Sequence, residues 1–365
     1  MTLEDKIKAI EEEISTTKYN KATQHHIGKL KAKLAQLREE ALKRASSGGG
    51  GVGFGLKKHG DATAVLVGFP SVGKSTLLNA LTNAESPVAE YDFTTLEVIP
   101  GMMKYKQIDV QILDLPGIIT GASIGKGRGR EVLSIVRNAD LVIILLDAGK
   151  PKQLDRICEE LYEVGVRLDR NKPKVSIKKT DRGGVKVMST LRLARIDEKT
   201  ITAILNAYGV HNAIVTVQED VNEDQMIDVV ADNRAYIPSL LLVNKVDLAM
   251  ACDLEKMRKQ MGRDFIGISA SKNVNIDAVR EGIYQKMDLI KIYLKKQGAK
   301  ADFEEPLVIK RGSTIEDVCR HLHSSFKDRF LYAKVWGQSA KYPGQRKGLD
   351  HAVMEGDIIS IIKER

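Results

Sequence analysis

Cysteine is scarce in this chain. Cys158, Cys252 and Cys319 stand far apart in 365 residues with no C-x-x-C pair, which excludes a disulfide framework and a cysteine-based zinc site. Long apolar runs are missing too: the longest, Leu141 to Leu146 within Ala139 to Ala148, is far too short to cross a bilayer. The charged start, Met1 to Glu13, is no signal peptide, so the expectation is a soluble, cytoplasmic protein with no membrane partner. The histidine pairs His25-His26 and His321/His323 lack an accompanying cysteine or carboxylate cluster and read as surface or core residues. Tryptophan occurs once, as Trp336, a packing or partner-facing aromatic. What the chain has is bulk and positive charge. At 43% hydrophobic it can bury a good core, its 365 residues are long enough for two or three domains, and 57 basic against 48 acidic residues favour a polyanionic partner. Eleven of those cations crowd between Arg167 and Lys199.

Chemistry enters at Gly68-Phe69-Pro70-Ser71-Val72-Gly73-Lys74-Ser75, which matches G-x-x-x-x-G-K-[ST] and follows the apolar run Ala64 to Val67. Glycines let successive N–H groups face the α- and β-phosphates, Lys74 adds charge near the β/γ oxygens, and Ser75 supplies a hydroxyl to Mg²⁺. With Thr76 in the following turn, this stretch predicts a nucleoside triphosphate site. The base is read at Asn244-Lys245-Val246-Asp247, after the run Ile237 to Val243. A carboxylate at Asp247 can accept from guanine N1–H and N2–H₂, and adenine would leave it unsatisfied at a cost of about 1–3 kcal/mol. Asn244 braces the phosphate loop and purine edge, the stem of Lys245 lies under the ring, and the Ala270 N–H of Ser269-Ala270-Ser271-Lys272 meets guanine O6. The ligand expected is GTP or GDP.

Two switch elements lie between. Asp114-Leu115-Pro116-Gly117 closes the run Asp109 to Leu113, so that Asp114 reaches Mg²⁺ through water and the Gly117 N–H senses the γ-phosphate. Tyr91-Asp92-Phe93-Thr94-Thr95-Leu96 supplies the other switch, with Thr95 favoured over Thr94 as the Mg²⁺ ligand. Ile118 follows Gly117, where a Ras-like enzyme has the glutamine that orients the attacking water. An isoleucine side chain cannot do this, which implies slow turnover, about the 10⁻⁴ s⁻¹ of unassisted Ras-type enzymes, unless backbone or another residue positions the water. Downstream, Gly125 to Glu131 is a glycine-interrupted basic run. Either Arg128 or Arg130 reaches the γ-phosphate in cis, or the run is a basic surface that meets a partner.

The expected domains are an N-terminal helical hairpin (1–46), a glycine-rich linker (47–60), a GTPase domain in two parts (61–165 and 236–295), an inserted α+β subdomain (166–235) and a C-terminal β-grasp unit (303–365). Within the insert, Val175 to Lys179 and Val185 to Met188 alternate apolar and basic residues around Asp181-Arg182-Gly183-Gly184, which predicts a β-hairpin with one charged face suited to RNA phosphates.

On GFPSVGKS, YDFTTL, DLPG with its GKGRGRE run, and NKVD, the chain resembles the developmentally regulated GTP-binding (DRG) subfamily of Obg-type GTPases along essentially its whole length. That resemblance implies an α/β P-loop GTPase domain, an insert of the ribosomal S5 domain-2-like type and a C-terminal TGS domain of β-grasp form. It also implies association with ribosomes or translation factors, and small regulatory partner proteins in eukaryotes. The resemblance adds K⁺ to Mg²⁺ as a candidate cofactor, although many relatives carry asparagine, the residue linked to potassium-assisted hydrolysis, where this chain has Ser71. The expected function is slow, Mg²⁺-dependent GTP hydrolysis by a monomeric switch that docks on ribosomes or RNA. The alternative is an RNA- or ribosome-docking module in which nucleotide only sets conformation.

Overall fold

A computed structural model of the chain describes residues 3–21, 23–44, 60–82, 99–115, 135–296, 298–299, 301–322 and 324–363. Most of the expected linker, the Tyr91 to Leu96 switch, and Pro116 onward in the other, with Thr95, Gly117, Ile118, Arg128 and Arg130, lie outside the described residues. Among the described residues no helix is long and apolar enough to cross a membrane, and no group of three or more His, Cys, Asp or Glu could hold a metal ion.

A six-stranded sheet forms the centre. Its order is β11 (Ile266–Gly267), β10 (Ser239–Asn244), β4 (Leu141–Asp147), β1 (Ala62–Val67), β3 (Ile108–Asp114) and β2 (Ile99–Tyr105), all parallel except the edge strand β2. β1, β4 and β10 are almost continuously apolar because both of their faces are covered. The two-residue period then sends Val65, Val142 and Ile144 to the layer of α4 (Gln153–Glu163), through Leu154, Ile157 and Leu161. Their neighbours Leu66, Ile143 and Leu145 pack on Leu77 and Leu78 of α3 (Lys74–Leu81) and on Val279 and Ile283 of α7 (Ile276–Met287). In a sheet of this kind the loops at the carboxyl ends of the strands make the ligand crevice.

The chain leaves this domain through β5 (Val166–Leu168) and returns through β9 (Ala235–Ile237), a parallel pair in which Val166 lies opposite Ala235. Between them stand β6 (Val175–Lys179), β7 (Val185–Ser189), α5 (Glu198–Ala207), β8 (Ala213–Val217) and α6 (Glu223–Ala231). β6 and β7 are not a hairpin, contrary to the expectation above. β8 lies between them, antiparallel to β6 and parallel to β7. The alternation in Ala213–Val217 buries Ala213, Val215 and Val217, so this strand takes the central place, and α5 provides the crossover that a parallel β7–β8 pair needs. The Asp181–Gly184 loop instead spans the start of β8, with the Gly184 N–H donating to Asn212 Oδ1 and the Ala213 N–H donating to Gly184 O.

The N-terminal helices α1 (Leu3–Thr16) and α2 (Gln24–Arg44) pack on each other, and α2 also lies on α5 and α6 of the insert. Ala32 is fully buried in the same core as Ile201, Ile204 and Val215, so α2 completes the insert rather than forming a separate module. Close approach explains Gly28: a Cβ there would lie 2.6 Å from Thr200 Cγ2. Polar ties follow the same seam, with the Gln24 amide and the Tyr19 hydroxyl each donating to Glu223 at 2.8 Å.

The C-terminal sheet has five strands in the order β13 (Leu307–Lys310), β12 (Leu289–Leu294), β16 (Ile358–Lys363), β14 (Phe330–Trp336) and β15 (Gln345–Lys347), with α8 (Ile315–Leu322) against one face. β12, placed by the sequence reading in the GTPase domain, belongs to this sheet: it pairs antiparallel with β13 and parallel with β16. Leu289 and Val308 nevertheless pack into the GTPase core, and Lys310 pairs with Asp140 at 2.9 Å, which joins the two domains.

Candidate nucleotide site

The phosphate loop joins β1 to α3. Its curvature comes from two residues in the left-handed region, Ser71 at φ 62° and Gly73 at φ 96°. Gly73 has a second reason to lack a side chain, because a Cβ there would sit 2.4 Å from Asn244 Nδ2. Lys74 opens α3 and folds back, donating to Gly68 O at 3.0 Å and Phe69 O at 3.2 Å. Burial pushes its ammonium pKa down, and the Asp114 carboxylate opposes that shift. Pro70, Ser75 and Thr76 are exposed along the rim, Phe69 is half-buried, and Val72 anchors the loop in the core.

Asn244 is buried at the end of β10 and ties three motifs together. Its Nδ2 donates to Val72 O at 2.8 Å, and its Oδ1 accepts the Ala270 N–H at 3.0 Å. The N–H that the sequence reading assigns to guanine O6 is thus donated to Asn244, because Asn244 Oδ1 lies within hydrogen-bond distance of it. Lys245 adopts φ 64°, which carries its ammonium to Ser71 O at 3.2 Å and to Asp147 Oδ2 at 2.6 Å. Asp247 follows in a single 3₁₀ turn, Val246–Leu248. A hydrogen bond from Ser269 and then the Lys272 ammonium, 3.1 Å away, hold its carboxyl below the usual range, so it is an anion at neutral pH. Ser269 is fully buried and its hydroxyl lies 3.4 Å from that of Ser271.

At the end of β3, Asp114 Oδ2 accepts from Ser75 Oγ at 3.2 Å. Its Oδ1 is buried with no hydrogen-bond partner among the described residues, and burial raises the carboxyl pKa above its ordinary value despite Lys74. A buried acceptor left free beside an exposed serine hydroxyl fits a hard cation or its water, so Ser75 and Asp114 suit Mg²⁺.

The structure thus brings together Gly68 to Thr76, Asp114, Asn244, Lys245, Asp247 and Ser269 to Ser271. Sequence reasoning missed Asp147 and Lys272 as supports of the guanine loop. Asp147 carried a signal: it ends β4 directly opposite Asn244, at the carboxyl edge where such sites form.

The chain is similar to known GTP-binding proteins in sequence. The family described as 50S ribosome-binding GTPase matches residues 63–180, the C-terminal region of that domain type matches 182–289, and the TGS domain matches 290–363. An uncharacterized GTP-binding protein of Methanocaldococcus jannaschii is 56% identical over all of this chain and 94% of its own. Human developmentally-regulated GTP-binding protein 2 is 42% identical, with all of both chains covered. Among solved structures, the cytosolic domain of the T. maritima FeoB iron transporter in its GMPPNP form overlaps 74% of this chain and 76% of its own at 18% identity and a TM-score of 0.36. With a phosphate loop braced by Asn244, an ionised carboxylate at Asp247 beside it, and full-length relatives that share its GTPase and TGS domains, this chain belongs to the developmentally regulated GTP-binding (DRG) family of Obg-type P-loop GTPases.

Proposed function

We propose that this protein hydrolyses GTP to GDP and phosphate as a slow, Mg²⁺-dependent switch, and that its accessory domains dock it on ribosomes or RNA during translation. The observation that carries the reading is the Val72–Asn244–Ala270 chain of hydrogen bonds, which locks the phosphate loop to the guanine loop. One rigid unit then holds base and phosphates in register, and catalysis of phosphoryl transfer is mostly such positioning.

Ser75 and Asp114 would hold Mg²⁺, joined by Thr95. The ion, when bound, neutralises charge developing on the β- and γ-oxygens. Lys74 contributes its ammonium to the same charge, and Asp247 fixes the guanine edge. Water attacks in line, with no help from the Ile118 side chain, and the Gly117 N–H reports loss of the γ-phosphate. Arg128 or Arg130 would raise the rate by about 10³ to 10⁵ if either reaches the transferring group. A monomer in the cytoplasm, with a family-type regulatory protein as a further partner, completes the reading; K⁺ is a candidate cofactor despite Ser71.

Steady-state GTP hydrolysis, with and without ribosomes and with Mg²⁺ present or chelated, tests the proposal. Stimulation by ribosomes and loss on chelation are expected. Nucleotide-dependent ribosome docking with unchanged turnover would instead mean that nucleotide only sets conformation.

A further inference from the structure

Among the described residues, the β6–β8–β7 sheet of the insert is covered on one face only. Val175, Ile177, Val185, Val187 and Val215 face α2, α5 and α6. The other face presents two cross-strand rows fixed by the register, Lys178–Ile214–Lys186 and Ser176–Thr216–Met188. Ser176, Lys178, Lys186 and Met188 are exposed. Two inter-strand spacings separate the lysines by about 10 Å between Cα atoms. Neither ammonium lies within 4.0 Å of a carboxylate among the described residues, and the same holds for Arg182 in the adjoining loop.

From this face we propose that the insert docks on the phosphate backbone of double-helical RNA. The argument rests on the preceding assignment of the accessory domains to RNA, and narrows it to one surface and one form of RNA. Unpaired cations flanking serine and threonine hydroxyls match phosphate oxygens, which accept from both. No aromatic side chain occurs in β6, β7 or β8, so unstacked bases have no platform here and single strands gain little. A protein partner would need a desolvated apolar centre, and this face offers only Ile214 and Met188 between charged and hydroxyl-bearing neighbours. Backbone recognition of this kind is insensitive to sequence and weakens steeply with salt.

The test uses the full chain and a mixed-sequence RNA duplex of about 16 base pairs, the length a comparable duplex-binding module spans. Lys178→Glu/Lys186→Glu should weaken duplex binding about ten-fold or more, and flatten the slope of log affinity against log salt by about 1.8. Lys33→Glu/Lys199→Glu is the control, with the same change in net charge on exposed positions of the helical layer behind the sheet. Affinity for a fluorescent GTP analogue should be the same in both variants, which reports an intact fold. Equal losses in the two variants would overturn the proposal, as would a single strand of the same length binding as tightly as the duplex. Competition by poly-glutamate as effective as by duplex at equal charge would also overturn it, in favour of an acidic protein partner. Binding of naked duplex is independent of ribosome-stimulated turnover, so either result can fail alone.

Discussion

Gly73→Ala tests whether the phosphate and guanine loops are one unit. The added Cβ would lie 2.4 Å from Asn244 Nδ2, closer than real Cβ contacts, at a residue whose φ is already 96°. Left-handed backbone costs a non-glycine residue about 1–2 kcal/mol. The asparagine cannot swing aside freely, because both ends of its amide are hydrogen-bonded, to Val72 O and the Ala270 N–H. Displacing it orphans those two groups at about 1–2 kcal/mol each, so Gly73→Ala should cost about 3–6 kcal/mol. Asn244→Ala alone orphans the same pair, for about 2–4 kcal/mol. The double variant loses the brace only once. It should bind a fluorescent GTP analogue no worse than Gly73→Ala alone, a coupling of about 2–4 kcal/mol, or roughly 30- to 1,000-fold in affinity. Losses that simply add, to within about 0.5 kcal/mol, would refute the shared brace.

Three further outcomes are expected. Glu281 is held down to about 2, first by hydrogen bonding from Lys106 and then by Tyr105, so its contribution to stability is present above the ordinary glutamate range and lost as pH falls from 4.5 toward 2. Glu281→Gln should therefore show a shallower acid loss of the thermal midpoint across that window, an effect reduced by salt because the pair is exposed. Gly28→Val should destabilise the α2–insert seam by about 1–3 kcal/mol through overpacking on Thr200, seen as faster hydrogen exchange in α5 with β1 and β4 unchanged. Asp228→Ala should cost about 3–5 kcal/mol, because Asp228 accepts two bonds from buried Arg167 and one from Arg234; insert strands that keep their exchange protection would contradict it.

The nucleotide site was legible because its parts are local: a loop of eight residues and a tetrapeptide, each following an apolar strand. What joins them was not. Asn244 reaches Val72 across 172 positions of sequence, and Lys245 reaches Asp147 across 98, and no local pattern encodes either contact. The β6–β7 hairpin failed for a related reason. Alternation and a glycine turn specify two strands and their faces, but whether a third strand enters between them depends on a segment 24 residues beyond the end of β7, counting from Ser189 to Ala213. β12 falls inside the expected GTPase span 236–295, and no local pattern marks the boundary there: Leu289 and Val308 pack into the GTPase core while the backbone of the strand pairs with β13 and β16. Of the eleven cations between Arg167 and Lys199, Arg167 is not available to a polyanion, because it is buried and paired with Asp228 at 2.7 Å.

The seating of α2 in the core of the insert has a consequence for the order in which the molecule can be completed. Gly28 meets Thr200, and about 170 residues of chain must be made between them. At a synthesis rate of 5–20 residues per second that is a delay of roughly 10–35 s, far longer than helix or hairpin formation takes. Through that interval Ala32, fully buried at the end among Ile201, Ile204 and Val215, lacks those neighbours, while the segments of β1 to β4 have already been made. α2 is thus made well before its seat exists, and its side toward the insert is the natural object of a chaperone during birth of the chain.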